Sequence, residues 1–341
     1  MKKKLLKFFT VCFFLALFFS KAIAGPTFVQ SKSIASAFYL GLNFNNDGTK
    51  MYTVRNGGKT DAVIEHILTT PYDISTATEN NTKLLHRGGG NTNYIPTQVV
   101  FNNDGTKMFI SNHTGSYIEY YSLTTAFDIS TATFDNQKNI SAQEIRANSF
   151  AFNNDGTRMI VAGAGNESQH RIHEYSLATP FDLSSTVTHL NTEDLSSTHN
   201  YIDGVIFNYN GTKMYTIRNQ TNADNHISQF KLTTPYDVST LSLEGTFDVS
   251  SLISGSSDSR EMVFSNDGSK MFIIDDGLEQ VHEFNLSCNW SVIDGACDDP
   301  ITTTDGGKDI LSSIESQTAT AKQIVIPVSY THLTLPTIQP V

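Results

Sequence analysis

Short stretches of β-branched and aromatic residues alternate with clusters of turn residues through most of the chain. This pattern predicts β-strands bounded by tight turns. The stretches come in groups of four, and each group is about 50 residues long, the length of one structural repeat. In the second group the pattern predicts strands at residues 97–101, 107–111, 117–123 and 133–140.

The sequence Phe-Asn-Asn-Asp-Gly-Thr-Lys-Met, or a close variant of it, marks the junction between the first and second strands of every group. Regular spacing of such a motif indicates one supersecondary unit copied around an axis. A four-stranded unit cannot bury both faces of its sheet alone, so the units must stack radially. We therefore predict an all-β fold, a β-propeller of about five four-stranded blades. The copies begin at Phe44, Phe101, Phe152, Phe207 and Phe264, at intervals of 57, 51, 55 and 57 residues.

Two connections recur within the groups. The first and second strands are joined by Asn-Asp-Gly-Thr, in which the Asp bonds its own backbone and the Gly accepts positive φ, so we predict a tight hairpin. The third and fourth strands are joined by Leu-Thr-Thr-Pro-Tyr-Asp-Ile-Ser-Thr, whose aromatic residue is placed to pack between blades. Copies of this second motif begin at Leu68, Leu123, Leu177 and Leu232.

The ends of the repeated region predict how the ring closes. After the fifth group's third strand, at 280–286, no fourth strand of the usual kind follows, whereas residues 26–34 resemble one. We expect this N-terminal strand to complete the last blade, which would hide the edges of an open ring. A six-bladed ring that uses the region around Cys288 as an extra blade is the alternative.

The two motifs together, Phe-x-x-Asp-Gly-Thr-Lys-Met-Tyr/Phe and Tyr-x-Leu-Thr-Thr-Pro-Tyr-Asp-Ile-Ser-Thr, resemble the repeat of a large group of bacterial and phage propeller proteins akin to YVTN-type repeats. The resemblance covers residues 28–286. It implies a propeller in an extracellular or surface protein. It implies no particular activity, because most members of that group are uncharacterised.

The first 24 residues resemble a secretory signal peptide. Three lysines at positions 2–4 precede an apolar run, and Ala22-Ile23-Ala24 has the small-x-small pattern of a signal peptidase site. The run is shorter than the ~20 residues of a membrane span, which disfavours an uncleaved anchor. Cleavage would remove five lysines and leave 18 basic against 34 acidic residues, a net charge of -16. We therefore expect an exported, self-repelling monomer that binds no nucleic acid.

Two cysteines remain after the signal, Cys288 and Cys297. In an oxidising compartment we expect them to form a disulfide that closes a short loop. A metal-binding pair is the alternative, but no His or Cys stands nearby at ligand spacing. The propeller would then span residues 25–287, followed by a disulfide loop and linker at 288–308.

The C-terminal residues form two further predicted segments. Residues 309–326 place apolar side chains at roughly helical spacing and resemble linkers that precede outer-membrane barrel domains, so the complete protein could be tethered to a membrane. Residues 327–341 resemble a translated sequencing adapter more than any part of a protein. On this interpretation native sequence stops near Ile326.

The aspartates of the repeated turn invite a calcium interpretation, since Ca²⁺ prefers several oxygen ligands around one ion. Each turn supplies one acid, and the fourth copy has Asn210 where the others have Asp. The position therefore requires turn geometry more than charge, and we expect neither a metal nor a cofactor. The four aspartates are Asp47, Asp104, Asp155 and Asp267.

Strand direction separates two faces of the predicted ring. The repeated turns, around Asp47 and its equivalents, all lie on one face, which we call the repeat face. The other connections differ from blade to blade and lie on the opposite, divergent face, where binding residues are expected. A network of mutually neutralised loop charges is the alternative interpretation of its polar side chains. The candidates are Arg55, Asn56, Asn112, His113, Arg146, Asn148, Tyr201, Asp203, Arg218, Asn219, Asp258, Arg260, Asp275 and Asp276.

No nucleophile, zinc-protease or phosphate-binding motif occurs in the chain, which disfavours those enzyme classes. We expect a non-catalytic binding or display module that recognises an extracellular glycan or protein through the divergent face. A carbohydrate-cleaving enzyme is one alternative, which needs two carboxylates facing each other across the opening. A passive passenger of an outer-membrane barrel is the other.

Overall fold

A computed structural model describes residues 25–34, 38–86, 94–163, 170–198, 201–218, 225–253, 255 and 258–293. These residues belong to one compact unit, 1–297, while the second unit, 298–341, lies outside the described part. The signal peptide, Asn219, Cys297, the helical linker and the adapter-like tail also lie outside it, so those predictions stay predictions. No helix among the described residues is long and apolar enough to cross a membrane.

The described residues contain twenty strands and five short 3₁₀ helices. The 3₁₀ helices are Gly58–Thr60, Ile74–Thr76, Ile129–Thr131, Val238–Thr240 and Val249–Ser251. The strands are β1 (Thr27–Ser33), β2 (Phe38–Phe44), β3 (Lys50–Asn56), β4 (Ala62–Leu68), β5 (Ala77–Leu84), β6 (Pro96–Phe101), β7 (Lys107–Asn112), β8 (Tyr117–Leu123), β9 (Ala132–Asn139), β10 (Ala147–Phe152), β11 (Arg158–Gly163), β12 (Arg171–Leu177), β13 (Val187–Asp194), β14 (Gly204–Phe207), β15 (Lys213–Arg218), β16 (His226–Leu232), β17 (Leu241–Asp248), β18 (Ser259–Phe264), β19 (Lys270–Asp275) and β20 (Gln280–Asn285).

The strands form five antiparallel four-stranded sheets, as predicted. Four sheets use consecutive strands, β2 to β5, β6 to β9, β10 to β13 and β14 to β17. The fifth has the order β1-β20-β19-β18. The first strands of successive blades contact one another, and β18 contacts β2, so the five sheets form a ring.

The fifth sheet is assembled from both ends of the described chain. β1 pairs antiparallel with β20, with Thr27 opposite Asn285 and Ser33 opposite Gln280. Residues 288–293 form no strand, so the six-bladed alternative is wrong. Cys288 lies in this segment, and its disulfide with Cys297 stays a prediction because only one of the two is described.

The repeated hairpin turn is held by its own side chains. Asp47 Oδ1 accepts hydrogen bonds from the Thr49 backbone N–H (3.0 Å) and hydroxyl (2.6 Å). Asn210 Oδ1 accepts the equivalent pair from Thr212 (3.2 and 2.6 Å), which shows that an amide serves as well as a carboxylate. The bonds from Thr49 hold the pKa of Asp47 below its usual range.

The aromatic residue of the second motif packs on the glycine of the first. Tyr72 has φ of 57°, and a Cβ built on Gly48 would lie 2.3 Å from the Tyr72 ring. The other blades repeat this contact, and in the fifth blade Trp290 takes the aromatic position against Gly268. The segment after β20 therefore supplies the missing connector of the fifth blade, although its described residues, 286–293, form no strand. The other pairs are Phe127 with Gly105, Phe181 with Gly156 and Tyr236 with Gly211.

A buried carboxylate or amide on the third strand of four blades accepts a backbone N–H from the next blade. Because these acceptors are at most 1 % exposed, each bond forms away from water. One of the bonds joins the fifth blade to the first. The pairs are Glu65 with Ile129 (3.4 Å), Glu174 with Val238 (3.3 Å), Gln229 with Val292 (2.9 Å) and Glu283 with Ile74 (3.4 Å).

The basic residue of the repeat provides the positive charge for the three glutamates, as Lys50, Arg158 and Lys270. Lys50 Nζ lies 3.3 Å from Glu65 Oε2, and Lys270 pairs with Glu283 in the same way. In the second blade Tyr120 occupies the acceptor position, opposite Phe109, and Lys107 Nζ instead donates to the Phe181 carbonyl at 2.9 Å. The motif therefore encodes contacts between blades as well as the turn.

Candidate functional site

The innermost strands of four of the five blades carry a β-bulge at the same position, four residues before the repeat's Phe. Such bulges re-aim a side chain at the end of a strand. The register of the strand pairing shifts at Leu40, Thr97, Asn148 and Arg260. In the fourth blade Asp203 takes the equivalent place, directly before β14. Its N–H donates to the carbonyl of Ile217, the residue that pairs with Gly204. One different side chain per blade is thereby presented at the divergent-face end of the central channel.

Arg260 joins two acids from neighbouring blades at this end. Its Nη1 lies 3.4 Å from Asp203 Oδ1, and its Nη2 donates to Asp258 Oδ2 at 2.9 Å. Nε lies 2.7 Å from Asp258 Oδ1, so both carboxylate oxygens of Asp258 face the guanidinium in a forked ion pair. Burial nevertheless raises the pKa of Asp258, and the Arg260 charge opposes that rise.

Asp276 is a second carboxyl at the same place. Its Oδ1 accepts the Tyr39 backbone N–H at 3.0 Å, and its own N–H donates to the Asp258 carbonyl at 2.9 Å. Burial, and then the nearby Asp258 carboxylate, raise the pKa of Asp276 to about 6. The Asp276 carboxyl therefore titrates closer to physiological pH than an ordinary surface aspartate does.

The second, third and fourth blades contribute hydrogen-bonding groups around Arg260. Asn148 Oδ1 accepts a hydrogen bond from His113 Nδ1, and Asn148 Nδ2 donates to the Ile202 carbonyl at 2.8 Å. Burial lowers the pKa of His113, and the charges of Arg146 and Arg260 add to that effect. Burial raises the pKa of the Tyr201 phenol, with a further contribution from Asp203. His113 and Tyr201 are thus neutral near pH 7.

Eight of the fourteen predicted residues therefore lie together, and we call this set the mouth. An exposed aromatic residue adjoins it, because Phe38, 68 % exposed, directly precedes the Tyr39 whose N–H binds Asp276. The mouth consists of His113, Arg146, Asn148, Tyr201, Asp203, Asp258, Arg260 and Asp276.

Other predicted residues bind within their own loops or, for Arg218, to a neighbouring loop. Arg55 donates to the Thr60 carbonyl through Nε (3.1 Å) and Nη2 (2.9 Å). Arg218 Nη1 donates to the Thr198 carbonyl at 3.0 Å. Asn112 accepts from the Gly115 N–H at 2.7 Å, and Asp275, which is fully buried, accepts from the Leu278 N–H at 2.8 Å. These side chains fix the shape of their loops.

Asn56 ends β3 opposite Phe38, and Asn219 lies outside the described residues.

A layer of the channel that sequence reasoning missed lies directly beneath the mouth. Glu261 of the fifth blade is 1 % exposed and is joined to Ser149 of the third blade by a 3.3 Å hydrogen bond that spans the channel. A Cβ on Gly204 of the intervening blade would lie 2.5 Å from Glu261 Oε1, so glycine is needed there. Burial raises the pKa of Glu261 well above its usual range.

The sequence does contain a pattern that could have revealed this layer. The position three residues before each repeat's Phe differs in size and polarity between blades, as Gly41, Gln98, Ser149, Gly204 and Glu261. Such variation at one position of an otherwise regular repeat indicates side chains that share one central space. Among the described residues, no group of three or more His, Cys, Asp or Glu side chains is arranged to hold a metal ion.

No protein-family model and no curated protein matches the chain. Solved structures with a similar fold include a functionally unknown protein from Desulfotomaculum acetoxidans (13% identity, TM-score 0.42, covering 70% of this chain and 65% of that one). Another is the periplasmic gluconolactonase of Pseudomonas aeruginosa (11%, 0.42, 72% and 65%). A third is the β-propeller domain of Myceliophteria thermophila Cps50 (Swd1) (8%, 0.42, 76% and 99%). The matched region spans less than two thirds of the first two proteins, and these likenesses concern the propeller fold alone.

Proposed function

We propose that the protein is an exported, non-catalytic binding module that recognises an extracellular ligand at the mouth on its divergent face. The observation that carries this proposal is the convergence of chemically different side chains from four blades on one end of the channel. His113, Asn148, Asp203 and Arg260 come from the second, third, fourth and fifth blades, on a scaffold that is otherwise repeated. Rigid scaffolds commonly present binding residues in this way.

The chemistry of the mouth favours a neutral, hydroxyl-rich ligand. Arg260 is already neutralised by Asp203 and Asp258, so its charge does not select for anions. The phenol of Tyr201 and the imidazole of His113 both donate and accept hydrogen bonds. The exposed ring of Phe38, which directly precedes the Tyr39 whose N–H binds Asp276, offers a flat apolar surface. We therefore favour a glycan over a protein as the ligand.

Binding to a glycan array tests the proposal. We expect the wild-type protein to bind a restricted set of glycans and the Phe38→Ala and Tyr201→Phe variants to lose at least tenfold in affinity. Phe38→Ala is the cleaner variant, since a side chain that is 68 % exposed contributes little to stability. Absence of glycan binding by the wild type, or binding that both variants leave unchanged, would refute recognition at the mouth.

One observation favours an enzyme as the second candidate. Asp276, whose pKa is raised to about 6, stands beside the Asp258 carboxylate, and such pairs of unlike carboxyls serve as general acid and base in glycoside cleavage. The forked pair between Asp258 and Arg260 weighs against this role. Turnover of a panel of aryl glycosides that Asp276→Asn abolishes, with glycan binding retained, would establish the enzyme instead.

A further inference from the structure

The repeat face carries a chain of side-chain amides that runs from blade to blade. Asn46 Nδ2 donates to the Asn103 carbonyl at 2.6 Å, and Asn266 Nδ2 donates to the Asn46 carbonyl at 2.5 Å. Asn103 donates to the Asn154 carbonyl in the same way, and Asn154 to that of Tyr209. The chain stops at Tyr209, which has no amide to donate. Amides thus join four of the five pairs of neighbouring blades around the repeat-face end of the channel.

A depression of about 160 Å³ lies at the part of this chain formed by the fifth, first and second blades. Asn46, Asn103 and Asn266 line it, together with the rings of Tyr72 and Phe127. Asn154, the fourth amide, is not among its lining residues. The volume is below the roughly 300 Å³ at which pockets for drug-sized ligands begin, so the depression suits a single small ring.

The three lining amides keep hydrogen-bonding capacity for a ligand. Each uses one Nδ2 hydrogen in the chain of amides, which leaves a second N–H, and across the described residues no protein donor occupies their Oδ1 atoms. An amide offers a donor and an acceptor side by side, which complements a hydroxyl group that also donates and accepts.

The charges around the depression restrict the ligand further. Asp47 and Asp104 belong to the turns that adjoin it, and hydrogen bonds from Thr49 and Thr106 lower the pKa of both, so both are ionised at neutral pH. Carboxylates at the rim disfavour an anionic ligand. The accessible lining of the depression is mostly polar, and the half-buried rings of Tyr72 and Phe127 form part of its wall.

We propose that this depression on the repeat face is a second ligand site, which binds one neutral sugar ring independently of the mouth. The site would be used whether or not the divergent face binds a glycan, because the two lie at opposite ends of the channel. The repeat face, expected from the sequence to be the less specific of the two, would then have its own ligand.

The single tryptophan of the chain gives the test a local probe. Trp290 packs against Phe264, with ring centroids 5.2 Å apart, and covers Gly268, two residues from Asn266. We expect glucose, galactose or N-acetylglucosamine, titrated into the full chain, to change Trp290 fluorescence saturably. Calorimetric titration of the same sugars detects binding that leaves the fluorescence unchanged. Glucuronate, which carries a negative charge, is expected to bind at least tenfold more weakly than glucose.

Matched variants distinguish a ligand site from a chain of amides that serves only to join the blades. Asn103→Ala is expected to weaken sugar binding at least tenfold. Asn154→Ala loses the same kind of bond to the next blade but lies outside the depression, so it is expected to bind like the wild type. Arg260→Ala at the mouth is also expected to leave this binding unchanged.

Three results would overturn the proposal. The first is no binding of any of the three sugars by either method, and the second is an equal loss in Asn103→Ala and Asn154→Ala. The third is glucuronate binding as tightly as glucose. Sugar binding that Arg260→Ala abolishes and Asn103→Ala leaves intact would assign it to the mouth and support the function proposed for that face alone.

Discussion

The two faces of the ring use the same strands in opposite ways. On the repeat face every blade makes the same bonds, from the Asp47-type turn to the contact between the aromatic residue and the glycine. On the divergent face four blades share a bulge, and all five blades place a different side chain at that position. The difference teaches that repetition in this sequence records the contacts that build the scaffold. Departures from repetition mark the positions that the scaffold leaves free to vary.

Removing a contact between blades on the repeat-face side should cost the most stability. Glu283→Ala leaves Lys270 and the Ile74 N–H without their buried acceptor, so we expect a loss of about 3–5 kcal/mol in the free energy of unfolding. Glu283→Gln should cost clearly less, because Gln229 fills the same role in the fourth blade. Urea unfolding measures both, and equal losses would contradict the role of the acceptor.

A pair of glycine substitutions compares the faces directly. Gly211 and Gly58 both have positive φ, of 70° and 66°. A Cβ at Gly211 would lie 2.2 Å from the Tyr236 ring, whereas one at Gly58, on the divergent face, meets nothing within 4 Å. We expect Gly211→Ala to lower the free energy of unfolding by roughly 2–4 kcal/mol. Gly58→Ala should lower it by about 1 kcal/mol, the cost of placing an alanine in the left-handed backbone conformation. Similar losses in thermal unfolding would show that the aromatic contact is unimportant.

The faces should also differ in their dependence on pH. Asp276, with a folded pKa of about 6, binds its proton more tightly in the native state, so its contribution makes stability fall as pH rises from about 4 to 6. Asp47, whose pKa is lowered, contributes stability that is lost as pH falls through its folded pKa.

Asp276→Asn should therefore remove about 1–2 kcal/mol of the stability difference between pH 4 and 7, less than its full shift implies, because the carboxyl is partly solvated. Asp47→Asn should change the dependence of stability on pH in the opposite direction, with a smaller effect. Unfolding measured from about pH 2 to 7 checks both signs, because the contribution of Asp47 is lost only below the ordinary pKa of an aspartate, about 3.9. An unchanged profile in Asp276→Asn would show that the carboxyl titrates normally.

The smallest effect should come from completing the chain of amides. Tyr209→Asn would place a donor beside the Asn266 carbonyl, the acceptor that continues the pattern, and we expect a gain of about 0.5–1 kcal/mol, the net value of one hydrogen bond. Tyr209→Ala, which adds no amide, is the control. A gain in the alanine variant as large as that in Tyr209→Asn would exclude the hydrogen bond as its cause.

The sequence predicted the scaffold closely because the scaffold depends on local turn chemistry. In the second blade no end of a predicted strand differs from the observed one by more than one residue. The role of Trp290 was missed because the connector motif itself is absent there. The acceptors Glu65, Glu174 and Glu283 were missed because their partners lie in other blades, at sequence separations that no local pattern reveals.

The candidate site was predicted less completely, for a related reason. Counting from the repeat placed Asn148, Asp203 and Arg260 at one end of the channel, and the structure brings them together. Counting could not show that Arg55 and Arg218 bind carbonyls of nearby loops, because loop conformation decides which partner such a long side chain reaches. Nor could it show that Glu261 spans the channel.

The split fifth sheet determines how the ring responds to mechanical force. Thr27 and Asn285 are direct partners, so the two strand ends from which the chain continues lie side by side. Tension applied between them would load the β1–β20 hydrogen bonds one after another, as in a zipper, instead of shearing them all at once. The fifth sheet is therefore the element that should yield first under load, while the four continuous blades stay shielded behind it.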